Sequence, residues 1–262
     1  MSNNENLLSV ARSEWIKFRT VRSTLMGVIV FSVLTVGLGV LITSTIRANW
    51  ATMELGRKIT FDPVSTSLAG VLFAQFAVGV IGSLFISSEY SSGAIRTTLP
   101  AVPHRIELAL AKLLVLIISM LVVCEVVCIA TFLIGQAIFS GVVTPTASLS
   151  NGADLRAVLL AGVYLALLAV LGFSLGLILR QSAACISVFV SILLIVPIIM
   201  LFLPASWQNS YQKFEPSNLG LSMMSVTPRP ELFGTWSAFM VLLIYVAVVF
   251  GVGVSMFQRR DA

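Results

Sequence analysis

The chain has 262 residues, of which 58% are hydrophobic and 10% charged, and its mean hydropathy is +1.01. A water-soluble protein of this length would need far more charge to cover its surface, so lipid is the expected solvent. The net charge of +5 reads as a membrane-topology effect, and the clustered basic and aromatic patches of a nucleic-acid surface are absent.

Residues 5–22, ENLLSVARSEWIKFRTVR, precede the first apolar run. Leu8, Ala11, Trp15 and Phe18 form one helical stripe, and Ser13, Glu14 and Lys17 are expected to face away from it. Ile16 and Val21 stray from the pattern. It predicts an interfacial helix at about 5–22 lying on the inner leaflet, with Trp15, Lys17 and Arg19 at the headgroups.

No charged residue lies between Arg22 and Arg47, Asp62 and Glu89, Arg156 and Arg180, or Glu231 and Arg259. Two more apolar runs, Lys112–Ser140 and Ala184–Pro204, carry between them one internal charge, Glu125. Crossing a hydrocarbon core of about 30 Å takes about 20 apolar residues. Six spans therefore fit, at about 24–46, 67–88, 112–140, 156–179, 184–204 and 236–257. Open sheet edges cannot sit in lipid, so the expected fold is an all-α integral membrane protein with a single transmembrane domain over residues 1–262. The first span is too long for a signal-peptide core and is read as a retained anchor. Pro197 is expected to kink the fifth.

Within the spans, Glu125 has two open readings: it lines a substrate or cation path, or it hydrogen-bonds across a helix interface. Gln75 and Gln136 pose the same choice. Gly172 and Gly176 form a G-x-x-x-G that permits close helix packing. Cys124, Cys128 and Cys185 all fall in spans, and the only histidine, His104, lies in a loop. The cysteines therefore read as small buried hydrophobes rather than metal ligands. Among the connections, 141–154 is an irregular polar linker. The stretch after Pro204 is rich in aromatic residues and methionine, and part of it is expected to dip into the interface.

With the N-terminus inside, ten of the sixteen basic residues fall on the inner face. That bias puts both termini in the cytoplasm. The phosphate-cradling G-x-x-x-x-G-K-[ST] loop needs a Gly-Lys pair, and none of the four lysines follows a glycine. The chain is thus expected to be non-catalytic and to bind no cofactor itself.

Glu89, Gly93, Arg96, Pro103, Arg105 and Lys112 occur as E-x-x-x-G-x-x-R, then P-x-R, then a lysine at the mouth of the third span. Together with the S-E-W-x-K-F-R-T-V-R-S-T run from Ser13 to Thr24, this order resembles the permease subunits of bacterial type-2 (ABC-2) ATP-binding-cassette exporters. The resemblance covers essentially the whole chain through loose motifs in a specific order. It implies a plasma-membrane permease forming half of a translocation pathway, paired with a second copy or a homologous permease. It also implies a cytoplasmic ATPase partner that holds the ATP and magnesium, and a small-molecule, peptide or lipid substrate. By the same resemblance, a short coupling helix between the second and third spans docks the ATPase, mapping onto Glu89, Gly93, Arg96, Pro103 and Arg105. Gly93 permits a turn, Pro100 and Pro103 end a short helical turn abruptly, and the two arginines can pair with a partner's acids. The alternatives are a membrane sensor or scaffold that docks a soluble partner, and a secondary transporter using Glu125.

Overall fold

The charge-free stretches fold as helices. The computed structural model describes residues 3–91, 93, 105–227 and 229–259, and every regular element among them is helical. Among the described residues six helices are long and apolar enough to cross a membrane, so the chain is a multi-pass, all-α integral membrane protein.

Helix α1 (Asn3–Thr20) stops at Val21, whose extended backbone separates it from α2 (Arg22–Asn49), the first span. Two short helices follow, α3 (Leu55–Ile59) and α4 (Pro63–Ser67). The next spans are α5 (Val71–Ser91), α6 (Arg105–Phe139), α7 (Gly152–Leu179) and α8 (Ser182–Met200). Helices α9 (Ala205–Phe214) and α10 (Pro216–Met224) lead to the last span, α11 (Thr235–Arg259).

Several boundaries differ from the sequence expectation, and three of them have a local physical cause or consequence. The second span starts at Val71 rather than near 67 because α4 occupies Pro63–Ser67 as a separately capped turn. Asp62 Oδ1 accepts hydrogen bonds from Val64 N and Ser65 N at 3.0 and 3.1 Å, and Pro63 needs no donor in the first turn. The third span begins at Arg105, which puts Lys112 two turns inside the helix instead of at its mouth. The fifth ends at Met200, and instead of a simple kink at Pro197 it carries a π-helical turn at Ser191–Ile195. A widened turn just ahead of a proline absorbs the hydrogen bond that the proline cannot make.

At the centre lies α7. Of its most apolar 18-residue window 83% is buried, against 17% for the first, fifth and sixth spans. A helix that is hydrophobic all round belongs in the middle of a bundle. It packs against α5, α6, α8, α10 and α11, while α2 lies outside against α5 and α6. The G-x-x-x-G of α7 is realised on α5: a Cβ on Gly172 would sit 2.3 Å from Gly79 O, and one on Gly82 would sit 1.9 Å from Ala169 O. In lipid such a seam is held by van der Waals contact, since apolar side chains gain nothing by leaving the acyl chains.

The methionine-rich stretch is a packed wall. Leu219, Met223 and Met224 of α10 are at most 1% exposed, and α10 rests on α7 and α11. Trp207 and Trp236 do stay exposed, as suits headgroup-layer aromatics. The wall is secured by Asp62, whose Oδ2 accepts from Ser225 Oγ and Val226 N, both at 2.9 Å. Because one carboxylate caps α4 and also holds the turn after α10, Asp62→Ala is expected to lower stability by about 2 kcal/mol. Equilibrium unfolding in mixed micelles reads this directly, and an unchanged midpoint would show that the tie contributes nothing.

Candidate functional site

Where α1 meets the end of α5 and the first turns of α6, four charged side chains come together. Lys112 Nζ of α6 donates to Glu14 Oε2 of α1 at 2.6 Å and to Glu89 Oε1 of α5 at 2.7 Å. Lys17 Nζ, one helical turn beyond Glu14, donates to Glu14 Oε1 at 2.7 Å and to Glu89 Oε1 at 2.9 Å. Two ammoniums thus alternate with two carboxylates and leave no net charge. The Lys112 and Glu14 side chains are 1% and 2% exposed, whereas Lys17 keeps 38%. The Phe85 ring, its centroid 5.6 Å from Lys112 Nζ, closes one side of the cluster.

Burial alone would lower the Lys17 ammonium, but the hydrogen bonds and charges of Glu14 and Glu89 outweigh it and hold it above its ordinary value. A cavity of about 320 Å³, lined in part by Glu14, Lys17, Thr24 and Glu89, flanks the cluster. From there a relay of ring contacts crosses the bundle. Phe18 of α1 meets Phe85 of α5 at 5.9 Å, Phe85 meets Phe173 of α7 at 6.2 Å, and Phe173 meets Phe250 of α11 at 6.5 Å.

This geometry corrects the reading of the first helix. Glu14 does not face away from the apolar stripe. Four residues on a helix advance the direction by about 40°, so Glu14 shares a face with Phe18, and both are buried. Trp15 lies on the outer side, 41% exposed, with the Arg19 guanidinium 5.9 Å from its ring centroid. Sequence reasoning named Lys17, Glu89 and Lys112 separately and missed Glu14. The 3- and 4-residue spacing of Ala11, Glu14 and Phe18 was the available signal.

Of the residues assigned to partner docking, Glu89 belongs to the cluster. Gly93 has φ +73°, the left-handed conformation that glycine adopts freely, as expected for a turn. Arg96, Pro103 and the expected coupling helix lie outside the described residues, as does the Arg105 side chain.

The intramembrane candidates separate into two kinds. Gln75 Nε2 donates to Ser217 Oγ at 3.3 Å, and Gln75 Oε1 accepts from Tyr164 Oη, joining α5, α10 and α7. Gln136 Nε2 donates to Pro63 O and Ser67 Oγ, and its Oε1 accepts from Ala147 N. Both glutamines are cross-links with their hydrogen-bonding capacity in use. Glu125 is different. Its carboxyl abuts Gly162 of α7, where a Cβ would come within 2.5 Å of Cδ, and its buried Oε2 has no hydrogen-bond partner among the described residues.

All three cysteines are buried and free. Among the described residues no group of three or more His, Cys, Asp or Glu side chains converges to hold a metal ion.

No curated protein matches the chain. A family model described as "Protein of unknown function (DUF2705)" matches residues 49–262. Since that match spans well over half of the chain and takes in five of the six spans, the chain belongs to the DUF2705 family.

Proposed function

We propose that the chain is the permease subunit of an ATP-driven exporter of the ABC-2 type, set in the bacterial plasma membrane with both termini cytoplasmic. It supplies half of the translocation pathway, pairs with a second permease, and is driven by a separate cytoplasmic ATPase. The observation that carries this reading is the four-charge cluster. Glu89 and Lys112 stand on the two helices that flank residues 92–104, the segment whose motif order resembles a coupling helix. Through Glu14 and Lys17 the same cluster ties both helices to α1, which in this reading lies along the inner leaflet. A push on residues 92–104 would reach α5, α6 and α1 together, and the phenylalanine relay continues it to α7 and α11.

The test is to purify the chain from native membranes and reconstitute it in lipid. It should retain a P-loop ATPase and stimulate its turnover. Arg96→Glu, which reverses the charge offered to the partner, should cut that stimulation about tenfold or more. If no ATPase associates, or the charge reversal leaves stimulation intact, the exporter reading fails.

One observation favours a second reading. Glu125 is a carboxyl inside a span with an unpartnered oxygen, which suits an ion-coupled secondary transporter. Transport that continues without any ATPase but stops in Glu125→Gln would select it.

A further inference from the structure

The fourth and sixth of six spans both begin on the membrane face opposite α1. There, α7, the turn after α10 and the start of α11 enclose a cavity of about 360 Å³. Among the described residues two arginines line it, Arg156 in the second turn of α7 and Arg229 in the 225–234 connection, and no acidic side chain does. Neither guanidinium has an ion-pair partner among the described residues. Arg156 Nε is buried without a hydrogen-bond partner among the described residues.

Ser222 adds an independent observation. It is only 7% exposed, it lines the cavity, and its Oγ is likewise buried without a partner among the described residues. Buried polar atoms in folded proteins are nearly always satisfied, and two orphans around one cavity call for a ligand that would satisfy both. Gly234, Thr235 and Trp236 bring the first turn of α11 to the same wall, where unpaired backbone N–H groups and the positive end of the helix favour an anion.

The acids nearby are spoken for or turned elsewhere. Asp62 lies behind the turn, accepting from Val64 N, Ser65 N, Ser225 Oγ and Val226 N. Asp154 Oδ2 accepts from Ser148 N. Glu215 and Glu231 line a separate cavity that shares Arg229 as its rim.

We propose that this cavity is a binding site for a phosphate-class anion, with Arg156 and Arg229 as its charge-bearing ligands and Ser222 as a hydroxyl donor. The exposed Trp236 ring at its edge suits an acyl-bearing molecule, so the phosphate of an anionic lipid in that leaflet is one source and free phosphate is the other. The site stands on the cavity alone and does not depend on an ATPase partner.

The full chain in detergent can be titrated with phosphatidylglycerol, with phosphatidylcholine and with inorganic phosphate. Bound lipid is counted by native mass spectrometry, and the shift in thermal unfolding is followed alongside. Wild-type protein should hold phosphatidylglycerol at least tenfold more tightly than phosphatidylcholine, and Arg156→Gln and Arg229→Gln should each remove about tenfold. Ser222→Ala should weaken binding severalfold while leaving the unliganded protein as stable as wild type or more so, because it deletes an orphaned hydroxyl. Stabilisation by inorganic phosphate that needs Arg156, without selectivity for phosphatidylglycerol, would assign the site to the free anion. Equal binding of the two lipids with no response to phosphate would overturn the proposal, as would unchanged binding in the arginine variants and in Ser222→Ala.

Discussion

Lys112→Met is expected to destabilise the protein by about 3–5 kcal/mol, as removing one partner from a buried ion cluster does. The ammonium is 1% exposed and bridges carboxylates on two different helices at 2.6 and 2.7 Å. Without it, Glu14 and Glu89 remain buried together with only Lys17 between them, and Lys17 sits at the edge with 38% exposure. Lys17→Met is therefore expected to cost about 1 kcal/mol or less, since a half-exposed ion pair is screened by solvent.

The neutralised variant Glu14→Gln/Lys17→Met/Glu89→Gln/Lys112→Met should recover most of the loss, because replacing a whole buried ion cluster by neutral groups of similar volume is often tolerated. Equilibrium unfolding in mixed micelles distinguishes these outcomes. A Lys112→Met protein as stable as wild type would mean that the cluster does not hold α1 to the bundle, and the route from residues 92–104 to α1 would lose its anchor.

The spans were legible in the sequence because charge is expensive in hydrocarbon, so the gaps between charged residues mark the helices almost by themselves. What the gaps cannot show is a charge that is buried because it is paired. Glu14 looked like part of a solvated face, and Lys112 looked like a marker at the membrane edge. Each finds its partner on a helix distant in sequence, across 98 residues for Lys112 and Glu14.

The same limit explains the wall formed by α10. Its methionines and Leu219 read as interfacial because no local pattern says that α7 would rise to meet them. Tyr164 and Gln75 fix that contact from two other helices. Asp62 was the more readable case. An Asp-Pro step is a helix-start signal, although nothing local reveals that its second oxygen holds Ser225 and Val226. Glu125 was visible as a lone intramembrane carboxyl, but that it lies against Gly162 of the fourth span is a tertiary contact no local pattern shows.

Gly82→Val is expected to cost about 3 kcal/mol, at the upper end of overpacking in a well-packed core. The nearest atoms to a new Cβ are the Ala169 carbonyl oxygen and carbon, at 1.9 and 2.7 Å. They are backbone, so no side-chain rotation relieves the clash and α5 must move away from α7. The same separation would loosen the contact between Gly172 and Gly79 further along the seam, where a Cβ would meet Gly79 O at 2.3 Å. In lipid there is no hydrophobic force to draw the helices back once their surfaces no longer fit. Moving α5 also displaces Phe85 from Phe173 and carries Glu89 away from Lys112, so the loss should spread to the charge cluster. Gly251→Ala in α11 is the matched control. It has nothing within 4 Å of its Cβ position, and alanine should stabilise that helix by up to about 1 kcal/mol. If Gly82→Val unfolds no more readily than Gly251→Ala, the close approach of the second and fourth spans is not what holds the bundle together.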